Sequence, residues 1–216
     1  MDNNASKPTT DRDNSSMPRQ ISGAEFNYKL RDPQNNQAHT ESFIRDGVVN
    51  VDLPGYVIPK GYRLVKSLKK EQYRLLSTDG IPETVYLLEL RFRPDIIFGE
   101  TTCTQIKVWR TVSHLHQTNI GDLPRIFFIH LLDSHSIMVT DEEHTRDGQR
   151  FWEIMISWAF HQDYYIYASD GTIEDRPLTQ IQNEAEFFSQ WVNQLWGTDI
   201  DVYTHKLVVI SKYPLL

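Results

Sequence analysis

Apolar and polar residues alternate along "ETVYLLELRFRPD", where Tyr86, Leu88, Leu90 and Phe92 are interleaved with Leu87, Glu89 and Arg91. A period of two is what a strand with one drier face requires, because successive side chains point to opposite sides of a sheet. "TQIKVWRTV" repeats the pattern, with Ile106 and Val108 opposing Lys107 and Trp109, and predicts a second strand antiparallel to the first. Upstream, "RLVKSLKKEQYRLLSTDG" sets Leu64, Leu68, Tyr73 and Leu76 on one helical face and stops at Asp79-Gly80, so a helix is expected there. "LPRIFFIHLLDS" carries Pro124 in a first turn behind Asp122 and predicts a short helix. Phe151, Ile154, Met155, Trp158 and Ala159 recur at helical spacing, which predicts an amphipathic helix from about residue 149. "NEAEFFSQWVNQLWG" opens with Asn183 and Glu186 in capping-box register, ends at Gly197, and turns Phe188, Val192 and Leu195 inward. "SIMVTD", "YYIYAS" and "HKLVVIS" are short apolar runs of the kind that buried strands use.

The resulting order is a helix, two strands, then helices and strands in alternation. It predicts an α+β fold, a mixed and mainly antiparallel sheet with flanking helices. Residues 1–22 are polar and cannot bury enough apolar surface to offset the entropy of ordering them, so they are expected as a disordered tail. Residues 23–50 have isolated apolar positions and are expected as an extended or partly ordered arm. Residues 51–216 form the single α+β domain.

Composition narrows the function classes. With 39% hydrophobic and 12% aromatic residues, the 216-residue chain can bury a sizeable core. A formal charge of −7 argues against nucleic acid as the main partner, since neutralising phosphates needs surplus Lys and Arg. One local basic cluster, Arg63, Lys66, Lys69, Lys70 and Arg74, reads either as a solvated helix face or as a partner or phosphate patch. The single cysteine, Cys103, precludes an internal disulfide and suits a reducing compartment. No apolar run is long enough for a membrane span, and "MDNNASKPTTDRDNSS" lacks the basic start and apolar stretch of a secretory signal, so a cytoplasmic location and no membrane partner are expected.

The densest candidate chemistry lies at 136–160, where "SIMVTDEEHTRDGQRFWEIMISWAF" runs from strand through loop to helix. Open sheets hold ligands at the carboxyl ends of strands, and a helix start offers N–H groups to an anion. Thr145, Arg146, Gly148 and Arg150 would then receive a phosphate; the alternative is ordinary capping by Thr145. Asp141, Glu143 and His144 are the candidate general bases, against the plainer reading of an acidic surface loop. His114 and His116 lack a third ligand at recognisable spacing, so no metal is expected. His130 reads as a satisfied core histidine, and Cys103 as a strand entrance. Asp95, Glu100 and Lys107 only loosely suggest a nuclease core.

Strand, glycine-containing loop, helix, strand, helix, strand, preceded by antiparallel strands, resembles the GCN5-related N-acetyltransferase family over residues 83–211. In that family the loop between the fourth strand and the following helix holds the acyl-CoA pyrophosphate. On that resemblance "IMVTD" is the central strand and "EEHTRDGQR" the phosphate loop, with Thr145 and Arg150 standing where the family has Gln or Arg and a small residue. It implies a GCN5-acetyltransferase-like strand order, acyl-CoA as cosubstrate, Thr145, Arg146, Gly148 and Arg150 on the pyrophosphate, and Asp141, Glu143 or His144 as the base for an attacking amine. It also implies a slot where the strand ending at Asp141 splays from the strand of Tyr165 and Tyr167; a junction sealed there by Trp152 or Trp158 would speak against acyl-CoA. The competing class is a non-enzymatic interaction factor with a protein partner. That class fits the texture of "VTD…T…G…FW", which resembles accessory, inhibitor or immunity proteins of phages and other mobile elements.

Overall fold

In a computed structural model, residues 19–20, 30–139, 143–171, 173–196 and 206–215 are described. The chain opens with β1 (Arg19–Gln20), helix α1 (Pro33–Arg45) and β2 (Val48–Asn50). Four longer strands follow as a meander, β3 (Tyr62–Ser67), β4 (Gln72–Ser77), β5 (Glu83–Arg93) and β6 (Thr102–Arg110). Helices α2 (His114–Ile120) and α3 (Leu123–Leu132) lead to β7 (Ser136–Val139), and β8 (Glu143–His144) precedes α4 (Arg146–His161). The remainder is β9 (Tyr165–Asp170), β10 (Leu178–Ile181), α5 (Glu184–Glu186), a π-helical stretch (Phe187–Trp191), α6 (Val192–Leu195) and β11 (Lys206–Ser211). Nine strands form one sheet in the order β10-β9-β11-β7-β6-β5-β4-β3-β2, and β1 pairs separately with β8. Within the large sheet only β6 and β7 run parallel, so the fold is α+β with a mixed, mostly antiparallel sheet.

The two faces of the sheet are covered differently. On one, Leu64, Leu75, Tyr86 and Leu88 pack with Phe127 and Phe128 of α3, Trp152, Met155 and Ile156 of α4, and Phe187 in one continuous apolar cluster. Each such side chain contributes roughly 1.5–3 kcal/mol by leaving water. The other face carries two smaller clusters, Phe43 with Val65 and Leu76 under α1, and Ile96 and Ile97 with Met138, Tyr167 and Val209.

Helix α1 is held by polar contacts. Asp32 caps it by accepting from the Asn35 amide at 2.9 Å, with Pro33 in the first turn. Its buried positions are Asn36, Thr40 and Phe43, a helical spacing written largely in polar residues. The β4–β5 register shifts between Leu75 and Leu76, and Asn36 takes up the backbone of Thr84 near that bulge. The Thr84 amide donates to Asn36 Oδ1 at 2.8 Å, and Asn36 Nδ2 donates to the Thr84 carbonyl at 2.9 Å, as a neighbouring strand would. Thr40 Oγ1 accepts from the same amide at 2.9 Å and lies 2.7 Å from Thr84 Oγ1.

Several sequence expectations are corrected. The helix expected over "RLVKSLKKEQYRLLSTDG" is the β3–β4 hairpin. Leu64 and Val65 are both buried because both faces of the sheet are covered there, which erases the period of two. The basic cluster is accordingly divided between faces rather than laid along a helix. In α4 the buried residues are Trp152, Met155, Ile156 and Ala159, whereas Ile154 is exposed, so the inward face is rotated from the expected one. Phe187 rather than Phe188 is buried, because the π-helical stretch adds a residue to the turn. His130 is exposed, and His114 and His116 lie on a helix.

Candidate functional site

The loop singled out by sequence is only partly described. Asp141 lies outside the described residues, and Glu143 and His144 are defined through their backbone, which pairs in parallel with Arg19 and Gln20. Thr145 is the N-cap of α4, its hydroxyl accepting from the Gly148 amide at 3.1 Å. The N–H expected to meet a phosphate is therefore taken up by a cap, and Gly148 stands inside the helix rather than in a turn. Arg146 and Arg150 are exposed in the first turns of α4. The expected slot is closed: β11 lies between β7 and β9, pairing Val208 with both Val139 and Ala168, and Trp152 is buried in the core cluster that includes those residues.

The parting occurs one pair further along. Parallel β6 and β7 are joined at Thr102 with Ser136 and at Cys103 with Ile137, after which β7 pairs with β11 alone. Parallel strands that separate toward their carboxyl ends create the crevice in which open sheets hold ligands. Leaving the carboxyl end of β6, the chain enters α2 through Thr111 to Ser113, fastened by the Thr111 amide donating to the Val85 carbonyl at 2.9 Å and by Gln117 Nε2 donating to the Thr111 carbonyl.

At this end of the sheet α2 meets the first residues of β3 and β5 in a hydrogen-bonded relay. His116 Nε2 lies 2.7 Å from Glu83 Oε1, and His116 Nδ1 lies 2.7 Å from the Tyr62 hydroxyl. Asn119 Nδ2 donates to Tyr62 Oη at 2.9 Å, and Tyr56 donates to the Asn119 carbonyl at 2.7 Å. An ionised carboxylate only accepts, so Nε2 carries a proton; in the neutral imidazole Nδ1 then accepts and the Tyr62 O–H points at His116. Every partner satisfies that one direction. A proton passing from Tyr62 to His116 would leave the phenolic oxygen with two N–H donors, Asn119 and the imidazolium.

Local chain geometry holds the relay in place. Gly61, before Tyr62, has φ +81°, and a Cβ there would collide with the Asp79 carboxylate while the Thr78 amide donates to the Gly61 carbonyl at 2.8 Å. His116 and Glu83 keep side-chain exposures of 13% and 30%, enough for contact with a ligand. Burial, then the neighbouring Tyr62, pushes the Tyr56 phenol up to about 12. Burial raises Tyr86 far above its ordinary range, and its hydroxyl has no hydrogen-bond partner among the described residues. Val57, Ile81, Val112 and Leu115, on the segments bordering the relay, are exposed apolar side chains. Cys103 is fully buried in β6 and its thiol is pushed up to about 12 by burial, which suits packing rather than nucleophilic attack.

The relay escapes a reading of the sequence because its members are far apart in the chain and His116 is weighed there only as a metal ligand. A signal was available in His116, three residues beyond Ser113 at the start of a short helical run. Among the described residues no group of three His, Cys, Asp or Glu side chains is placed to hold a metal ion, and no helix is long and apolar enough to cross a membrane. Comparison with protein-family models, curated proteins and solved structures returns no match.

Proposed function

We propose that the chain is an acyl-CoA-dependent N-acyltransferase whose site lies at the carboxyl end of β6; the sealed β7–β9 junction speaks against acyl-CoA at the 145–150 loop. The observation that carries this reading is the parallel pair β6 and β7, joined at two positions and then parted, with β6 running on to Arg110 and the crossover helix α2 beginning beyond the parting at His114. In the family that the sequence resembles, the fourth strand and the helix after it hold the cosubstrate. Counting the meander from β3 makes β6 that fourth strand, whereas the sequence reading had assigned the role to β7.

The relay supplies the proton chemistry. An acceptor amine attacks the thioester carbonyl, the carbon–sulfur bond breaks, and coenzyme A leaves as a thiolate. Tyr62 oxygen takes the amine proton as its own passes to His116 Nδ1, with Glu83 balancing the imidazolium. That proton then returns to neutralise the thiolate. The exposed apolar side chains Val57, Ile81, Val112 and Leu115 support a second reading, a protein-interaction factor that uses the same end of the sheet without catalysis.

Thermal unfolding with and without acetyl-CoA separates the two. Ligand at 100 times its dissociation constant should add about 2.7 kcal/mol to stability. His116→Ala and Tyr62→Phe should keep that shift while losing most transfer to amines, read by release of free thiol. No shift at millimolar acetyl-CoA would sink the acyltransferase and leave the interaction factor in front.

A further inference from the structure

On the opposite face of the sheet from the relay, a groove of about 580 Å³ opens between α1, the β3–β4 turn and the surface of β5 and β6. We propose that it binds a phosphoryl group, and that Arg74, Lys69, Lys70 and Lys107 supply its counter-charge.

Arg74 is only 2% exposed and its guanidinium lies 3.9 Å from the centre of the Phe43 ring. Its hydrogen bonds go to neutral oxygens, Gln72 Oε1 at 2.9 and 2.7 Å and Thr84 Oγ1 at 3.2 Å. The nearby carboxylate, Glu89, accepts instead from Gln72 Nε2 at 2.6 Å and faces Lys107 at 3.8 Å. A buried cation whose hydrogen bonds all go to neutral groups is costly, and an anion in the groove would relieve that cost. Burial brings Arg74 down to about 10, with Glu89 opposing, so it remains charged at neutral pH. A guanidinium has donors beyond the three used here, set in a fork that suits phosphate oxygens.

The rest of the groove has the same sign. Four cations, Lys69, Lys70, Arg74 and Lys107, face two carboxylates, Asp46 and Glu89. The surplus matches a phosphate dianion rather than a single carboxylate. Lys69 pairs with Asp46 at 2.6 Å, but both are exposed, and such a pair yields readily to a stronger anion. Among the described residues Lys70 has no side-chain hydrogen bond. Phe43 and Leu87 add an apolar wall that an organic ester could use.

Calorimetric titration of the full chain with inorganic phosphate and with phenyl phosphate, chloride balancing ionic strength, tests the site. At least one should bind saturably with a dissociation constant below about 1 mM. Phenyl phosphate binding about tenfold tighter assigns the group to a larger organic molecule, and equal affinity assigns it to free phosphate. The double variant Lys70→Gln and Lys107→Gln, whose side chains are outside the core, should weaken binding at least about tenfold with an unchanged melting temperature. Absence of saturable binding at about 10 mM of either probe, or full affinity in the double variant, overturns the proposal.

Discussion

The helix-covered face of the sheet and the face under α1 are built on opposite principles. The first gathers mainly aromatic and aliphatic side chains from eight strands and four helices into one cluster and confines its polar chemistry to the rim, where Glu83, His116 and Tyr62 meet. The second carries small apolar clusters and a polar chain running from Thr40 through Thr84, Arg74 and Gln72 to Glu89. Stability resides in the first arrangement and is spread evenly. In the second, each hydrogen bond fixes a position, and the loss of one partner leaves another stranded.

The sharpest way to break this comparison is Phe128→Ala, which empties a fully buried site between α3 and α4. It should cost about 3–5 kcal/mol in urea unfolding. Thr40→Val keeps the volume but removes an acceptor and a donor from the α1 seam; about 1–3 kcal/mol is expected, with hydrogen exchange rising first at the Thr84 amide. Equal losses from the two would show that the faces are not built differently. The smallest effect is electrostatic. The Lys69 hydrogen bond, then its charge, holds the Asp46 carboxyl below its ordinary 3.8. A depressed folded value means that the stabilisation is present above the unfolded value and lost as pH falls through the folded one. Lys69→Met should therefore lower the melting temperature slightly near neutrality, and the difference from wild type should vanish in acid below that value.

The same contrast explains what the sequence disclosed. β5 and β6 were legible by alternation, α3 by its start and length, and β7, β9 and β11 as short apolar runs, which is how strands covered on both faces read. The β3–β4 hairpin was not, since Leu64 and Val65 face two covered sides and the mixture of apolar and basic residues imitates a helix. α1 was hidden for the opposite reason: Asn36 and Thr40 occupy buried helical positions with polar side chains, leaving Asp32-Pro33 as the readable start. The π-helical stretch displaced Phe188 from the expected inward face, as no simple period anticipates an added residue. Of the candidate site, Thr145 spends its hydroxyl on a cap, the alternative that its place before a helix already offered. The relay joins residues 62, 83 and 116, and only the turn at Gly61, the hairpin and the β6–α2 connection bring them together.

The position of β11 has a consequence for synthesis. It is translated after every other strand of the large sheet, yet it occupies an interior place between β7 and β9. Until Lys206–Ser211 has left the ribosome, β7 and β9 both present open edges, and the β9–β10 hairpin has no link to the meander through backbone hydrogen bonds. The nascent chain therefore holds two half-sheets that can recruit a foreign strand. Closure of the large sheet waits for β11, and a chain truncated before Lys206 would be expected to aggregate rather than merely lose stability.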